Sequence, residues 1–577
     1  MGKLTGAEIF IESLYHEKVE TIFGYPGGAV LPIYNVLYDA KFEHIMPHHE
    51  QGGIHAADGY ARSTGKVGVC IATSGPGGTN LVTGLATAYM DSVPIVAFTG
   101  QVPRSMLGTD AFQEADITGI TTPITKHNYL VQDVKDLGRI IKEAFHIAST
   151  GRPGPVLIDI PKDVLLEKCE FLYPKELNLP GYSPNYNGHS MQIKEAAKAI
   201  NEAQKPVIYS GGGVIISGAS DYLRQLAKKG SIPVTTTLTG LGAFDERDDL
   251  SLGMLGMHGT TEANLAVSNA DLLIAIGSRF DDRVTGKLEK FAAEAKVIHI
   301  DIDPAEVGKR VEIDIPIVGD VRRILEKLNP LVEDRSREDW SKQIDNWRKL
   351  DDTEVIEKKK LSPKQIIENI SDLTQGDALI TTEVGQHQMW SAQFYQYTKP
   401  RSFMTSGGLG TMGYGFPAAI GVQVGNKDKN VFALAGDGSF QMNSQELATV
   451  AKNKLPINII IFNNGYLGMV RQWQEMFYER RYSSVCLKKQ DDCPPGCSSP
   501  GDHCPIMIPD FVKLAGAYGI KAKRVSKKED VRSALEWAIN SPEPILLDFI
   551  IEEEENVFPM VPPGGSLDKM VLKGDVE

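Results

Sequence analysis

No stretch of about 18 consecutive apolar residues occurs in the chain, so no membrane-spanning helix is expected. The N-terminus has no basic region ahead of an apolar core and no Arg- and Ser-rich segment. A signal or transit peptide is therefore not expected, and a cytoplasmic location is. Basic charge is scarce: 60 Lys and Arg against 74 Asp and Glu leave a formal charge of −14. A phosphate backbone is held by clustered cations, so a nucleic-acid partner is not expected either. Cysteine is rare, six in 577 residues. Cys70 and Cys169 stand apart, whereas Cys486, Cys493, Cys497 and Cys504 gather around His503. The glycine-rich segment 73–80 lacks the Gly-Lys-Ser/Thr ending of a P-loop, which excludes that nucleotide site.

What is present is a long series of short apolar runs: 67–72, 94–98, 156–160, 207–210, 272–276, 297–302, 431–435, 457–462 and 545–550. Each is followed by a turn and then a helical stretch. Strands apolar on both faces belong to parallel sheets covered by helices, which makes the fold class α/β. A single core stops growing near roughly 250–300 residues, so three domains are expected. Two linker-like stretches divide the chain. Residues 168–190 carry Pro174, Pro180 and Pro184, and residues 331–362 are highly charged and include Lys358, Lys359 and Lys360. The latter reads as a solvated helix and connector. The expected domains are 1–167, 190–330 and 362–545, with a C-terminal arm at 546–577.

The strongest chemical signal is Gly436-Asp437-Gly438-Ser439 after one apolar run and Asn463-Asn464 after the next. Two adjacent parallel strands would bring Asp437 and Asn464 to the carboxyl edge of one sheet, where ligands of open α/β sheets bind. A hard cation such as Mg²⁺ takes a carboxylate oxygen, an amide oxygen and phosphate oxygens. Gly438 lets backbone approach a diphosphate, and a helix beginning near Ser444 would present N–H groups to it. A lone glycine-rich turn would mean little. The paired motif, with 24 residues between its halves, resembles the thiamine diphosphate signature.

From about Leu4 to about Leu567 the chain resembles the catalytic subunits of the acetohydroxyacid (acetolactate) synthase family. That resemblance implies two thiamine diphosphate-binding folds with a flavin-binding domain between them. It implies decarboxylation of pyruvate and transfer of the two-carbon unit to pyruvate or 2-ketobutyrate, the first common step of branched-chain amino acid biosynthesis. By position in the His48-His49-Glu50 motif, Glu50 is similar to the glutamate that bonds the aminopyrimidine N1′. This acid also separates the chain from glyoxylate carboligase, a relative that lacks it. Tyr25, Gly28, Pro76 and Asn80 would lie by the pyrimidine half of the cofactor. Val384, Gly385, Gln386 and His387 would grip the diphosphate together with Gly436, Gly438 and Ser439. Leu467, Gly468 and Met469 complete that set, Met412 would press between the cofactor's two rings, and Tyr466 would offer its carbonyl to Mg²⁺. Phe112, Gln113 and Lys162 would lie near the reacting centre or its access channel. Trp473 would set the preference for 2-ketobutyrate, with Arg283 as carboxylate clamp.

For FAD the resemblance implies Arg152, Gly211, Gly212, Gly213, Thr237 and Leu238. It adds Gly256, Met257, His258, Gly277 and Arg279, and then Asp301, Ile302 and Asp320. Asp301 would hold a ribose hydroxyl. The flavin would be largely structural, and its motifs favour the biosynthetic branch. Partners implied are a second copy, as homodimer or homotetramer, and a small regulatory subunit. The rivals are a pyruvate oxidase and a non-catalytic relative that keeps the fold. The tail lacks an amphipathic lipid-binding helix, which disfavours the membrane-bound oxidase. Intact Glu50, Asp437 and Asn464 disfavour the second rival.

Between Tyr482 and Phe511 the chain departs from the family pattern. Cys486, Cys493, Cys497 and Cys504 suit a tetrahedral zinc site, though the spacing matches no standard finger. An iron–sulfur or redox role and a plain loop with free thiols are the alternatives. The acidic run 552–555 reads as solvated.

Overall fold

A computed structural model describes residues 2–351, 360–488 and 508–573. Three six-stranded sheets are built, every pairing within them parallel. Across the first the order is Glu43–Ile45, Thr21–Gly24, Gly68–Ala72, Ile95–Gln101, Val156–Pro161, His127–Leu130. The second runs Ser251–Met254, Val234–Thr236, Pro206–Ser210, Leu272–Ile276, Lys296–Asp301, Ile315–Val318. The third runs Phe403–Thr405, Leu379–Thr382, Val431–Gly436, Ile457–Asn463, Ile545–Ile550, Lys521–Val525. The central strands are buried along their length, as continuous apolar runs require. Leu4–Thr5 pairs antiparallel with Lys168–Cys169, so the chain closes the first unit where its linker begins. Among the described residues no helix is long and apolar enough to cross a membrane.

The first and third units share one hydrophobic core. Helix Glu50–Thr64 lies against helix Gly415–Gly425 at backbone contact. A Cβ on Gly59 would collide with the Ala418 carbonyl, and one on Gly421 with the Ala56 carbonyl. Only glycine permits that approach, which fixes where Glu50 stands relative to the third sheet.

Three expectations change. The charged connector is not simply solvated. Its helix Glu338–Arg348 buries Trp340 and Ile344 in the middle unit's core, because its polar residues leave one apolar stripe. Of the lysine run, Lys358 and Lys359 lie outside the described residues, whereas Lys360 pairs with Glu553 at 3.0 Å. The acidic run is also paired: Glu553 with Lys488 at 2.6 Å and Glu554 with Arg480 at 2.8 Å. Opposite charges far apart in sequence meet there when the C-terminal arm folds back.

Candidate active site

Strands Val431–Gly436 and Ile457–Asn463 pair in register, Gly436 opposite Phe462. Asp437 and Asn464 therefore leave the sheet at the same edge. They line one pocket with Gly385, Gln386, His387 and Met412, and with Val384, Gly436, Gly438 and Ser439. Tyr466, Leu467, Gly468 and Met469 form its far wall. Four lining residues were not expected at the site: Trp390, Phe462 and Ile551 are buried and look like any core position, and Val470 is half-exposed. The helix after the first glycine turn begins at Asp437 itself, as Asp437–Phe440, while Ser444–Glu446 is a 3₁₀ turn. The N–H groups nearest the pocket thus come from the Gly436–Ser439 turn, one step earlier than expected.

Asp437 is buried, and its Oδ2 accepts from the Gly465 N–H at 2.8 Å. Burial pushes its carboxyl up to about 7. No ion pair to it occurs among the described residues. Asn464 Oδ1 accepts from the Tyr466 N–H at 3.0 Å. His387 is buried, burial drops it to about 3, and its Nε2 has no protein partner.

Glu50 opens helix Glu50–Thr64, with His49 as its N-cap. Its Oε2 accepts from Asn80 Nδ2 at 2.9 Å. Gln113 packs against the turn at Gly75. Phe112 is 87% exposed, so nothing among the described residues covers it. Tyr25 and Gly28 sit in the turn after strand Thr21–Gly24, where the Ala29 N–H donates to Thr73 Oγ1 at 3.3 Å. Lys162 begins helix Lys162–Leu166 at the end of strand Val156–Pro161. None of these first-unit residues lines the Asp437 pocket.

A separate cleft lies between the first and middle units. Gly212, Gly213, Thr237, Gly277 and Arg279 line it, with Asp301, Ile302, Asp320 and, from the first unit, Arg152. Arg152 Nη1 donates to Asp303 at 3.1 Å and to Glu306 at 2.8 Å, bridging the units. Burial raises Asp301 to about 6. Gly277 has φ +56, and a Cβ there would meet Gly213, which makes the two glycine turns one structure. Asp91, Thr239 and Ser278 also line the cleft and were not legible as site residues. Gly211, Leu238, Gly256, Met257 and His258 do not line it. The last three form a turn that meets other segments: the Met257 N–H donates to the Arg283 carbonyl at 2.7 Å, and the Val561 N–H donates to the Met257 carbonyl at 2.8 Å.

Three family models match in sequence order. Residues 4–120 match the thiamine pyrophosphate enzyme N-terminal TPP binding domain, 193–328 the central domain and 383–549 the C-terminal TPP binding domain. Acetolactate synthase large subunit IlvB1 of Mycobacterium tuberculosis is 51% identical, over 99% of this chain and 92% of that protein. The probable acetolactate synthase large subunit of Methanocaldococcus jannaschii is 50% identical, over 100% and 96%. The Corynebacterium glutamicum acetolactate synthase large subunit is 50% identical, over 98% and 89%. The chain belongs to the acetolactate synthase family. It is a thiamine diphosphate-dependent enzyme.

The C-terminal segment reaches the Asp437 pocket. Gln386, a pocket residue, donates to the Glu555 carbonyl at 2.8 Å and to Gln472 Oε1 at 2.9 Å. Gln472 Oε1 in turn accepts from the Val557 N–H at 2.9 Å, and its Nε2 donates to the Val557 carbonyl at 3.0 Å. Trp473, the next residue, carries Arg283 of the middle unit over its ring. Of the clustered cysteines, Cys486 bridges Tyr466 across a β-bridge and is free. Cys493, Cys497 and Cys504 lie outside the described residues. Among the described residues no group of three or more His, Cys, Asp or Glu could hold a metal.

Proposed function

We propose that this chain joins two 2-keto acids, releasing CO₂ from pyruvate and adding its two-carbon unit to a second pyruvate or to 2-ketobutyrate. The product is 2-acetolactate or 2-aceto-2-hydroxybutyrate, which supplies branched-chain amino acid biosynthesis. The observation that carries the reading is the Asp437 pocket, where, among the described residues, a buried carboxylate forms no ion pair and a nearby buried histidine nitrogen has no partner. A Mg²⁺ diphosphate satisfies both at once. Asp437, the Asn464 amide oxygen and the Tyr466 carbonyl are the hard oxygen donors such an ion takes. His387 Nε2 and the Gly436–Ser439 turn face the phosphate side.

Bound thiamine diphosphate supplies the electron sink for decarboxylation. The chain's own part is positioning and proton control. Asn80 occupies Glu50 Oε2, which leaves Oε1 beside Gly77 to share a proton with the aminopyrimidine N1′. Met412 would support the cofactor's rings, and the apolar and amide side chains Phe112, Gln113 and Met412 bring no acidic proton to the reacting centre. Trp473 and Arg283 give the second substrate one apolar wall and one cation. Because Glu50 and Asp437 do not share a pocket within one chain, a second copy supplies the missing half, as homodimer or homotetramer. Relatives named large subunits support a small regulatory partner as well.

The cleft between the first and middle units fits FAD. Arg279 makes no ion pair among the described residues and faces a space lined by glycine turns. Asp301 stands at a strand end, where an acid bonds ribose hydroxyls. Ser210 and Thr236, adjacent in sequence to Gly211 and to the cleft residue Thr237, are buried hydroxyls without partners among the described residues.

The test is incubation of purified chain with pyruvate, Mg²⁺, thiamine diphosphate and FAD, following acetolactate, acetaldehyde and oxygen together. Acetolactate without matching oxygen uptake supports the reading. Stoichiometric oxygen loss moves the chain to the oxidases, and acetaldehyde alone moves it to simple decarboxylases.

A further inference from the structure

Asp91 ends helix Val82–Met90 and is nearly the last residue that composition would mark. Its side chain is only 1% exposed, and it stands where three elements meet. One carboxylate oxygen takes Arg62 Nη2 at 2.9 Å. The Gly407 N–H donates to Oδ2 at 2.9 Å and the Gly408 N–H to Oδ1 at 2.7 Å. Arg62 also pairs with buried Asp58 at 2.6 Å and donates to the Thr405 carbonyl at 2.9 Å. A second tie runs in parallel, Thr87 Oγ1 to Thr411 Oγ1 at 2.8 Å, both buried.

Asp91 is also among the residues that line the cleft between the first and middle units, together with Thr239 and Arg279. Those two also touch the segment that Asp91 holds. A Cβ on Gly407 would lie 2.9 Å from Thr239 Cγ2, and one on Gly408 would lie 3.3 Å from Arg279 Nη2 and 2.9 Å from Asp91 Oδ1. Residues 407–408 thus remain exposed, bonded to a carboxylate of the first unit and close to two cleft residues of the middle unit. Four residues later stands Met412, in the Asp437 pocket.

The helices that carry this junction also carry the other half of the chemistry. Helix Glu50–Thr64 begins at Glu50 and reaches Arg62 after about 18 Å. Helix Val82–Met90 starts just after Asn80, the partner of Glu50, and ends at Asp91. Gly84 packs directly on Ile54, so the two helices lie in close contact. Elements with few contacts of their own gain order when a neighbour is fixed, and two ligands that order the same element bind cooperatively.

We propose that Asp91 is a positioning residue that couples the cleft to the thiamine site. A dinucleotide lying against Arg279 and Thr239 fixes residues 406–413 on Asp91, and that preorganises Met412 for thiamine diphosphate. The proposal rests on the flavin reading of the cleft. Its test measures thiamine diphosphate affinity by quenching of intrinsic fluorescence, at saturating Mg²⁺, with and without FAD, in the unaltered enzyme and in Asp91→Asn. Flavin absorbance reports FAD occupancy separately. Hydrogen exchange across residues 406–413 of the unaltered enzyme is followed with and without FAD.

The expected result is slower exchange at 406–413 with FAD and thiamine diphosphate binding tightened by roughly five-fold or more. In Asp91→Asn the ratio falls towards one while FAD still binds. A merely structural Asp91 would lower affinity equally with and without FAD and leave the ratio intact, which overturns the proposal. Unchanged exchange on FAD binding overturns it even if the variant does not fold. Failure of FAD to bind the unaltered enzyme overturns the flavin reading first, and the coupling with it.

Discussion

The Arg283 guanidinium carbon lies 5.7 Å from the centroid of the Trp473 ring, joining the middle unit to the helix that leaves the Asp437 pocket. Arg283 is 62% exposed and makes only a loose contact with Asp282, at 3.9 Å. Its cation is therefore held by the indole face and stays open to a carboxylate. A keto acid bound there would rest its alkyl group on the indole and its carboxylate on the guanidinium.

The preference between second substrates follows from that pair. Pyruvate and 2-ketobutyrate differ by one methylene, which an apolar pocket distinguishes by about 10–200-fold at most. Trp473→Leu removes most of the flat wall but leaves Arg283 free. The expected outcome is a fall of about ten-fold in the 2-ketobutyrate to pyruvate product ratio, read by competition in one flask. Arg283→Ala should instead raise the KM for both acids with little change in their ratio. An unchanged ratio in Trp473→Leu removes the indole from the substrate wall.

Glu50 and Asp437 should fail in different ways. Glu50→Gln keeps the Asn80 contact through its amide oxygen but cannot take a proton. Turnover should drop by roughly 10²–10⁴, the usual worth of a general acid–base group, while thiamine diphosphate affinity holds. Asp437→Asn removes the only carboxylate in its pocket among the described residues. There affinity for Mg²⁺ and thiamine diphosphate should fall first, with turnover recovering in part at high Mg²⁺. Binding titrations beside initial rates separate the two patterns.

The parts of this site that sequence reveals are those carried by local rules. Gly436, Asp437, Asn463 and Asn464 follow apolar runs, so their shared sheet edge can be read before any coordinates. Asp91 and Arg62 carry no such mark. Their meaning comes from contacts 29 positions apart with each other and over 300 positions away to Gly407, Gly408 and Thr405. The connector and the acidic run mislead for the same reason. A charged stretch looks solvated until its partner arrives from another element, as Lys488 and Arg480 do for Glu553 and Glu554. The turn 256–258 reads as a cofactor turn, and its contact with the C-terminal arm at Val561 could not be read from the glycine turn alone.

Arg337 is a stability determinant of the middle unit. It is 6% exposed, and no carboxylate pairs with it among the described residues. It donates instead to the carbonyls that end two helices, to Ile200 at 2.8 Å, to Ala203 at 3.2 Å and to Gly230. Those carbonyls are among the unpaired groups every helix end leaves. Burial holds the guanidinium down at about 10, still charged at neutral pH. Arg337→Met keeps the volume but strands the carbonyls, at roughly 1–3 kcal/mol for each buried acceptor left unmade. The expected outcome is a lower unfolding midpoint for the middle unit by calorimetry. Arg337→Lys should recover only part, since one ammonium cannot reach three carbonyls in the fork geometry.

Asp159 gives the first unit a pH dependence of definite sign. It lies in strand Val156–Pro161, 1% exposed, accepting from Thr99 Oγ1 at 2.7 Å and from Gln101 Nε2 at 2.9 Å. Those bonds favour the carboxylate, but burial outweighs them and pushes the group up to about 7. In the unfolded chain the same group titrates near about 4. Between those two values the native state holds a proton that the unfolded state has lost. Stability from this group therefore falls as pH climbs from about 4 to about 7, and the loss is complete above that window. Asp159→Asn cannot titrate and should flatten that part of the profile. The measurement is denaturant unfolding of both proteins across pH 4.5–8, followed by a probe in the first unit. The difference between the two curves should change steadily up to neutrality and then level. A constant difference throughout would mean that Asp159 is ionised in the native state across the whole range, and that its two hydrogen bonds outweigh its burial.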